Sequence, residues 1–259
     1  MTRIALVSPY SWTYPGGVTR HIEALAEEFL AAGHHVRVLA PWDPDDGLSR
    51  WLHRGATPEV RPLPDYVIPL GRTVGVPANG AISNLPPCPH SVTTMRQELR
   101  AGRFDVVHLH EPVAAPLCWD ALASTRAPLV GTFHCYSENR VSNNIANLIG
   151  ARRMLNHLRV RIAVSDAAAW TGRRFFGGRY RVIPNGVAVG SRPGLPRGEP
   201  DELRVVFVGQ AVERKGLPVL LRAFEALREH VPARLQVVGA TEEEAAPLLL
   251  DARGVEVLG

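Results

Sequence analysis

The sequence predicts an α/β fold with a doubly wound parallel sheet, followed by a second, incomplete unit of the same kind. Two observations predict this fold. Short apolar runs alternate with helical patterns along the chain, which is typical of buried parallel strands joined by helices. The alternation restarts after residues 191–200, a proline- and glycine-rich segment with the composition of a linker. We therefore expect a first domain at 1–190, a linker at 191–200 and a second domain that begins at 201 and runs to 259.

The first strand, helix and second strand form a β-α-β unit. Arg3 to Val7 is a short apolar run that suits a buried strand. From Val18 the apolar side chains recur at helical spacing, and Gly33 stands where a helix C-cap glycine is expected. Residues 34–41 return as the second strand, so a right-handed crossover buries one face of the helix on the sheet.

The same alternation continues along the first domain. Residues 43–89 are rich in proline, glycine and polar side chains, which predicts short strands and loops rather than a long helix. Further strands are predicted within 104–112, 127–135, 160–170 and 180–187. After the linker, a strand, a helix, a strand, a second helix and a strand follow in turn.

The composition favours a globular protein and limits its partners. With 46% hydrophobic and 21% charged residues, the chain can bury an ordinary core. It has no apolar run long enough to span a membrane and no signal peptide, so we expect a cytoplasmic location. The net charge of +4 is spread along the chain, and we expect no nucleic-acid partner. Three distant cysteines predict buried or idle thiols: Cys88, Cys118 and Cys135.

The helix of the first β-α-β unit begins at a glycine pair, Gly16 and Gly17, after an aromatic and proline-rich loop. Helix N-termini carry free backbone N–H groups, and glycines let a phosphate approach that backbone closely. A plain tight turn is the alternative. The pair lacks the spaced glycines of a dinucleotide-binding fingerprint.

Histidines stand at the carboxyl ends of two predicted strands, the edge where open α/β sheets bind ligands. They are His108 and His110 in "HLHEP" and His134 in "TFHC". A metal site built from these three is one interpretation. His108 and His110 point to one face of their strand, but no third ligand stands at a fixed spacing from them. Contact of His134 with a substrate is a second, and a buried, hydrogen-bonded histidine is a third.

A basic turn opens the second domain. In "GQAVERKG", residues 209–216, Arg214 and Lys215 follow the first strand and could clamp a diphosphate. A solvated basic turn is the alternative. Lys215 is the only lysine in the chain.

Taken together, these motifs resemble the retaining family-4 glycosyltransferases, which have the GT-B fold. The resemblance rests on "PYSWTYPGGVTRH", "FDVVHLHEP", "GTFHC", "RIAVSD", "VIPNGV" and "FVGQAVERKG", which occur in the family's order. Within the family, the sequence is most similar to the phosphatidylinositol mannosyltransferases of actinobacteria. The resemblance implies two Rossmann-like domains that face each other across a cleft, with the acceptor on the N-terminal side and the donor on the C-terminal side.

The resemblance also implies an activity and a set of site residues. A hexose, mannose for the nearest relatives, would pass from a GDP- or UDP-sugar to a lipid or small-molecule acceptor with retention, without a cofactor or metal and with peripheral contact to the inner face of the membrane. His134 would contact the transferred sugar. The donor would lie against Gly16, Gly17, Arg214 and Lys215. We assign the acceptor side to Tyr10, Thr19, Asn79 and Glu111.

Several features depart from the family pattern. Gln210 stands where the family has an arginine, and the loop 76–85 matches the inositol-phosphate loop only at Asn79 and Gly80. The chain ends on a predicted strand, so we expect an N-terminal fragment that is inactive without the rest of the donor domain. Two alternatives follow: a degenerate, non-catalytic binding module, and a nucleotide-sugar epimerase that uses Glu111.

Overall fold

The structure is a computed structural model of the whole chain, and it describes residues 1–53, 58–78, 81–86, 89–114, 116–189 and 202–259. Two compact units form. The first comprises Met1–Pro77 and Ile82–Ala188, and the second comprises Ala78–Ala81 and Val189–Gly259. The predicted linker lies outside the described residues, and the predicted domain limits stay a prediction.

The first unit is built on a seven-stranded parallel sheet. Its strands are β1 (Arg3–Val7), β2 (His35–Ala40), β3 (Val67–Pro69), β6 (Val106–His110), β7 (Leu129–Phe133), β8 (Val160–Ala163) and β9 (Arg181–Val182). Strands β4 (Val74–Ala78) and β5 (Ala81–Leu85) form a separate two-stranded sheet. The helices are α1 (Gly17–Ala31), α2 (Gly47–Leu52), α3 (Pro89–Ala101), α4 (Leu117–Ser124), α5 (Arg140–Leu148), α6 (Ala151–Leu155) and α7 (Asp166–Thr171).

The strand order of the large sheet is β3-β2-β1-β6-β7-β8-β9. The chain first builds outward from β1 to β3 and then returns to the other side of β1 with β6. The crossovers therefore diverge between β1 and β6, and the loops after these two strands leave a crevice at the carboxyl edge of the sheet. The predicted doubly wound parallel sheet is confirmed.

Alternation along β1 distributes the core over two faces of the sheet. Ile4 and Leu6 point to the face that α1 covers, where they pack in one cluster with Ile22 and Ala26. Ala5 and Val7 point to the opposite face, into a larger cluster that includes side chains of α3, α4 and α6. The sheet thus has helices on both faces, as a sequence of nearly continuous apolar strands requires.

The first β-α-β unit matches the sequence prediction closely. The helix α1 ends at Ala31, and Gly33 adopts a left-handed conformation with φ of 81°, as expected for the residue that ends a helix. Within 43–89, the described residues before α3 form the six-residue α2 and short strands, as the sequence predicted.

The second unit contains a three-stranded parallel sheet in the order β10 (Leu203–Val208), β11 (Ala233–Val238) and β12 (Val255–Val257). The helix α8 (Leu217–Arg228) packs Leu217, Leu221 and Phe224 onto β11, and the short α9 (Glu242–Ala245) follows β11. The predicted alternation of strands and helices after the linker is confirmed.

Candidate functional site

The candidate site lies at the carboxyl edge of the large sheet, next to the crevice between β1 and β6. Strand register places the histidines there. Leu6 pairs with His108, and His110 pairs with Thr132, so all four side chains share the face that α1 covers. His134 follows β7 directly and continues on the same face. Helix α1 crosses this face and brings His21 into the group.

The imidazoles of the site are neutral and packed against one another. His108 Nε2 lies 2.7 Å from the hydroxyl of Thr132, and His110 Nδ1 lies 3.1 Å from His134 Nε2. Burial, reinforced by the neighbouring histidines, lowers the pKa of His108 to about 4 and of His134 to about 3. The same causes hold the pKa of His110 well below its usual value, and burial lowers that of His21.

Glu111 fixes the backbone that carries His134. Its Oε2 accepts hydrogen bonds from the backbone N–H groups of His134, at 3.0 Å, and Cys135, at 3.2 Å. Glu111 has a φ of 50°, a left-handed conformation that is uncommon for a residue with a side chain. Burial raises the pKa of its carboxyl group, against the lowering effect of the two N–H donors. The two hydrogen bonds of this carboxyl group thus hold the end of β7 in place.

Tyr10 joins the same group from the loop after β1. Burial, the Glu111 carboxylate and the thiol of Cys135 raise the pKa of its phenol, which therefore stays protonated. The structure brings Tyr10, Glu111 and His134 together, as their assignment to one site requires. Neither the buried Cys118 nor Cys135 forms a disulfide among the described residues, and Cys88 lies outside them.

A buried carboxylate holds the aromatic loop that leads to the glycine pair. Asp43 accepts hydrogen bonds from the hydroxyls of Ser11, at 2.6 Å, and Thr73, at 2.7 Å, and from the backbone N–H of Thr73. Within the loop, Trp12 is buried, and Tyr14 stacks on His53 with 4.2 Å between ring centroids. The loop after β1 is therefore fixed by contacts of its side chains with Asp43 and His53 before α1 begins.

None of the described residues around the start of α1 requires a glycine at position 16 or 17. Gly16 is the N-cap with an ordinary φ of −106°, and Gly17 is the first residue of the helix. A Cβ atom built on either residue meets no heavy atom within 4 Å. Neither backbone strain nor close packing among the described residues explains the pair, so the helix N-terminus is left open to a close-fitting ligand.

The remaining predicted residues are placed as follows. Thr19 is fully buried, and its hydroxyl donates to the carbonyl of Ser11 at 3.4 Å. Lys215 is exposed at the end of the turn Glu213–Lys215, after β10 in the second unit, and Arg214 lies in the same turn. Asn79 lies outside the described residues.

Sequence analysis missed one member of the site, His21. Its imidazole contacts both His110 and His134, with centroid distances of 5.6 and 5.4 Å. The signal was its position on α1, one helical turn after Gly17, on the flank of the face that packs on the sheet.

Comparison with known proteins agrees with this architecture. The profile of Glycosyltransferase Family 4 matches residues 15–190. The chain is 37% identical over 247 residues to a phosphatidyl-myo-inositol mannosyltransferase of Mycolicibacterium smegmatis, covering 93% of this chain and 60% of the relative. A protein of the same name from Propionibacterium freudenreichii is 32% identical and is covered to 59%. The chain thus spans about 60% of the length of these curated relatives.

Solved structures share the fold at low sequence identity. A sucrose-phosphate synthase from Thermosynechococcus elongatus aligns over 100% of this chain and 70% of its own length, with a TM-score of 0.63 and 18% identity. A glycosyltransferase from Rickettsia africae aligns over 100% of this chain and 68% of its own, with a TM-score of 0.60. Together with the matched profile and the curated relatives, these findings show that the chain belongs to glycosyltransferase family 4.

Proposed function

We propose that the chain belongs to a hexosyltransferase that moves a sugar, mannose in the first instance, from a GDP- or UDP-sugar to a lipid or small-molecule acceptor with retention. The observation that carries the proposal is the contact of His21 with His134, because it joins the open N-terminus of α1 to the end of β7. A sugar held at His134 would then lie beside backbone N–H groups that attract its phosphates.

The charged and the neutral groups of the protein suit different parts of the donor and the acceptor. The N–H groups and partial positive charge at the start of α1 suit an anionic diphosphate. Within the second unit, the exposed cation of Lys215 also suits a phosphate group. The neutral imidazole of His134 suits a sugar hydroxyl, since it can donate or accept one hydrogen bond without charge. The protonated phenol of Tyr10, next to Glu111, suits a hydroxylated acceptor.

Donor binding by the full-length protein tests the proposal. We expect calorimetric titration to detect GDP-mannose or UDP-glucose, and Lys215→Ala to weaken that binding by about tenfold or more, because a charge-assisted contact to phosphate is lost. Arg222→Ala is the matched control, since Arg222 is an exposed cation on α8 of the same unit. Equal weakening by both variants would show a general charge effect and would count against a diphosphate site at Lys215.

The glycine pair allows a second variant of the same test. Gly17→Ala should leave thermal stability unchanged or slightly raised, because the added Cβ has room and alanine favours helix. Donor binding should still fall, since the methyl group occupies the approach to the N–H groups. If no donor binds to the wild-type protein, a non-catalytic binding module becomes the better explanation.

We propose further that α5 makes the peripheral membrane contact. Its apolar side chains Val141, Ile145 and Leu148, with Ile149 just beyond it, are all more than half exposed and lie at helical spacing along one face. Residues 139–189 contain nine arginines and a single acidic residue, Asp166. An apolar helix face within a basic region matches an anionic lipid surface. Among the described residues, no helix is long and apolar enough to cross a bilayer.

Vesicle sedimentation tests the membrane contact. We expect the protein to bind vesicles of phosphatidylglycerol and phosphatidylcholine, less well as salt rises, and Ile145→Asp to abolish the binding. Ala24→Asp is the matched control, because Ala24 is exposed on α1, another helix of the same unit, and the new charge is the same. Equal losses in both variants would refute a role for the apolar face.

A further inference from the structure

Three imidazoles from three different elements form a nearly equilateral triangle at the site. His21 comes from α1, His110 ends β6, and His134 follows β7. The ring centroids lie 5.6 Å apart for His21 and His110, 5.4 Å for His21 and His134, and 5.4 Å for His110 and His134. One ring nitrogen of each lies within 4.8 Å of one on both of the others.

These distances are close to those of three histidines that share one metal ion. With nitrogen ligands about 2.0–2.1 Å from a tetrahedral zinc ion, neighbouring nitrogens lie about 3.3 Å apart and ring centroids about 5 Å apart. The observed nitrogen separation between His110 and His134 is 3.1 Å. Small side-chain rotations, chiefly of His21, would complete the arrangement.

The hydrogen bonding of His110 determines which of its two ring nitrogens would bind the ion. His110 Nε2 is buried and has no hydrogen-bond partner among the residues the structure describes. The nitrogen that faces His134 is Nδ1, so an ion shared by the two rings would bind His110 through Nδ1 and leave the proton on Nε2.

We propose that His21, His110 and His134 bind one zinc ion, with a fourth position open to water or another ligand. Three imidazoles suit zinc and similar transition metals, whereas magnesium and calcium require oxygen ligands. His108 takes no part, since its Nε2 is already paired with the hydroxyl of Thr132. The site therefore differs from the combination of His108, His110 and His134 considered from the sequence.

The inference rests on the geometry of the first unit and not on the proposed function. It has one consequence for that function. Because His134 is also the residue assigned to the transferred sugar, zinc bound here would exclude the sugar and inhibit transfer.

Cobalt titration of the metal-free protein tests the site without any donor. We expect one cobalt ion per chain, with the intense visible absorption of a tetrahedral complex, and displacement of that cobalt by zinc. His21→Ala and His134→Ala should each weaken binding by more than about tenfold, since even the loss of an outer partner of a ligand costs that much. Magnesium should not displace cobalt.

The matched control is His157→Ala, which removes an exposed histidine of the same unit outside the triangle. It should bind cobalt as the wild type does. Circular dichroism checks that every variant is folded. Unchanged cobalt affinity in His21→Ala, or weak absorption typical of octahedral cobalt in the wild type, would overturn the proposal. Neither result bears on donor binding at Lys215, so the two hypotheses can fail separately.

Discussion

At the scale of single residues, Glu111 shows how a buried carboxylate can be structural at a site where catalysis is expected. Its oxygen is occupied by two backbone N–H groups, and its own backbone is held in a left-handed conformation. A carboxylate placed in this way positions His134 rather than taking up a proton from a substrate. This arrangement also gives no support to the epimerase alternative, which needed Glu111 to point a free carboxylate at the substrate.

Two substitutions at Glu111 separate these roles. Glu111→Ala should lower the free energy of unfolding by about 2 to 4 kcal/mol, because two buried N–H donors lose their acceptor. Glu111→Gln should cost less than about 1 kcal/mol, because its amide oxygen can accept both hydrogen bonds. Urea unfolding measures both values.

The pH dependence provides the control for Glu111. Folding raises the pKa of this carboxyl group above its ordinary value of 4.5, so the folded protein holds the proton more tightly than the unfolded chain. The wild type should therefore gain stability relative to Glu111→Gln as the pH falls through the raised pKa towards 4.5. A difference between the two proteins that does not change with pH would contradict this account.

At the scale of elements, the loop between β1 and α1 depends on a buried polar network rather than on regular structure. Asp43 ties this loop, through Ser11, to Thr73 just before β4. Asp43→Ala should destabilise the protein by about 2 to 4 kcal/mol, since several buried donors lose their acceptor together. Asp43→Asn should cost less, because the hydroxyls can turn to accept from the new amide.

Thermal unfolding compares the two Asp43 variants. Asp45→Ala is the control, because Asp45 pairs with Arg50 at the surface, where an ion pair contributes little. If Asp43→Ala were no more harmful than Asp45→Ala, the network would not be what holds the loop.

At the scale of the whole molecule, the sequence predicted what depends on local periodicity. The strand at Arg3–Val7, the helix that ends before Gly33 and the later strands all follow from apolar spacing and turn residues. Helix α5 was not predicted, although Val141, Ile145 and Leu148 lie at helical spacing after Asn139, whose side chain caps the helix. The apolar spacing and the capping residue together are a sequence signal for this helix.

The contacts within the site could be predicted only in part. The histidines were correctly expected at the carboxyl edge of the sheet, because parallel strands bring their carboxyl ends to one side. The contact of His21 with His134 depends on the angle at which α1 crosses β6 and β7, and the clamp by Glu111 depends on a single unusual φ angle. No local pattern in the sequence encodes either feature.

The two hydrogen bonds accepted by Glu111 also bear on where a negatively charged ligand group could bind. The N–H groups at the end of β7 would otherwise be good donors to a phosphate, but the protein's own carboxylate already uses them. A phosphate placed there would find these two N–H donors already paired with Glu111. This end of the sheet therefore offers an anion less than the start of α1, which has no described acidic side chain in its first turn. A sugar diphosphate that binds as proposed would therefore place its phosphates at the helix and its uncharged ring at the histidines.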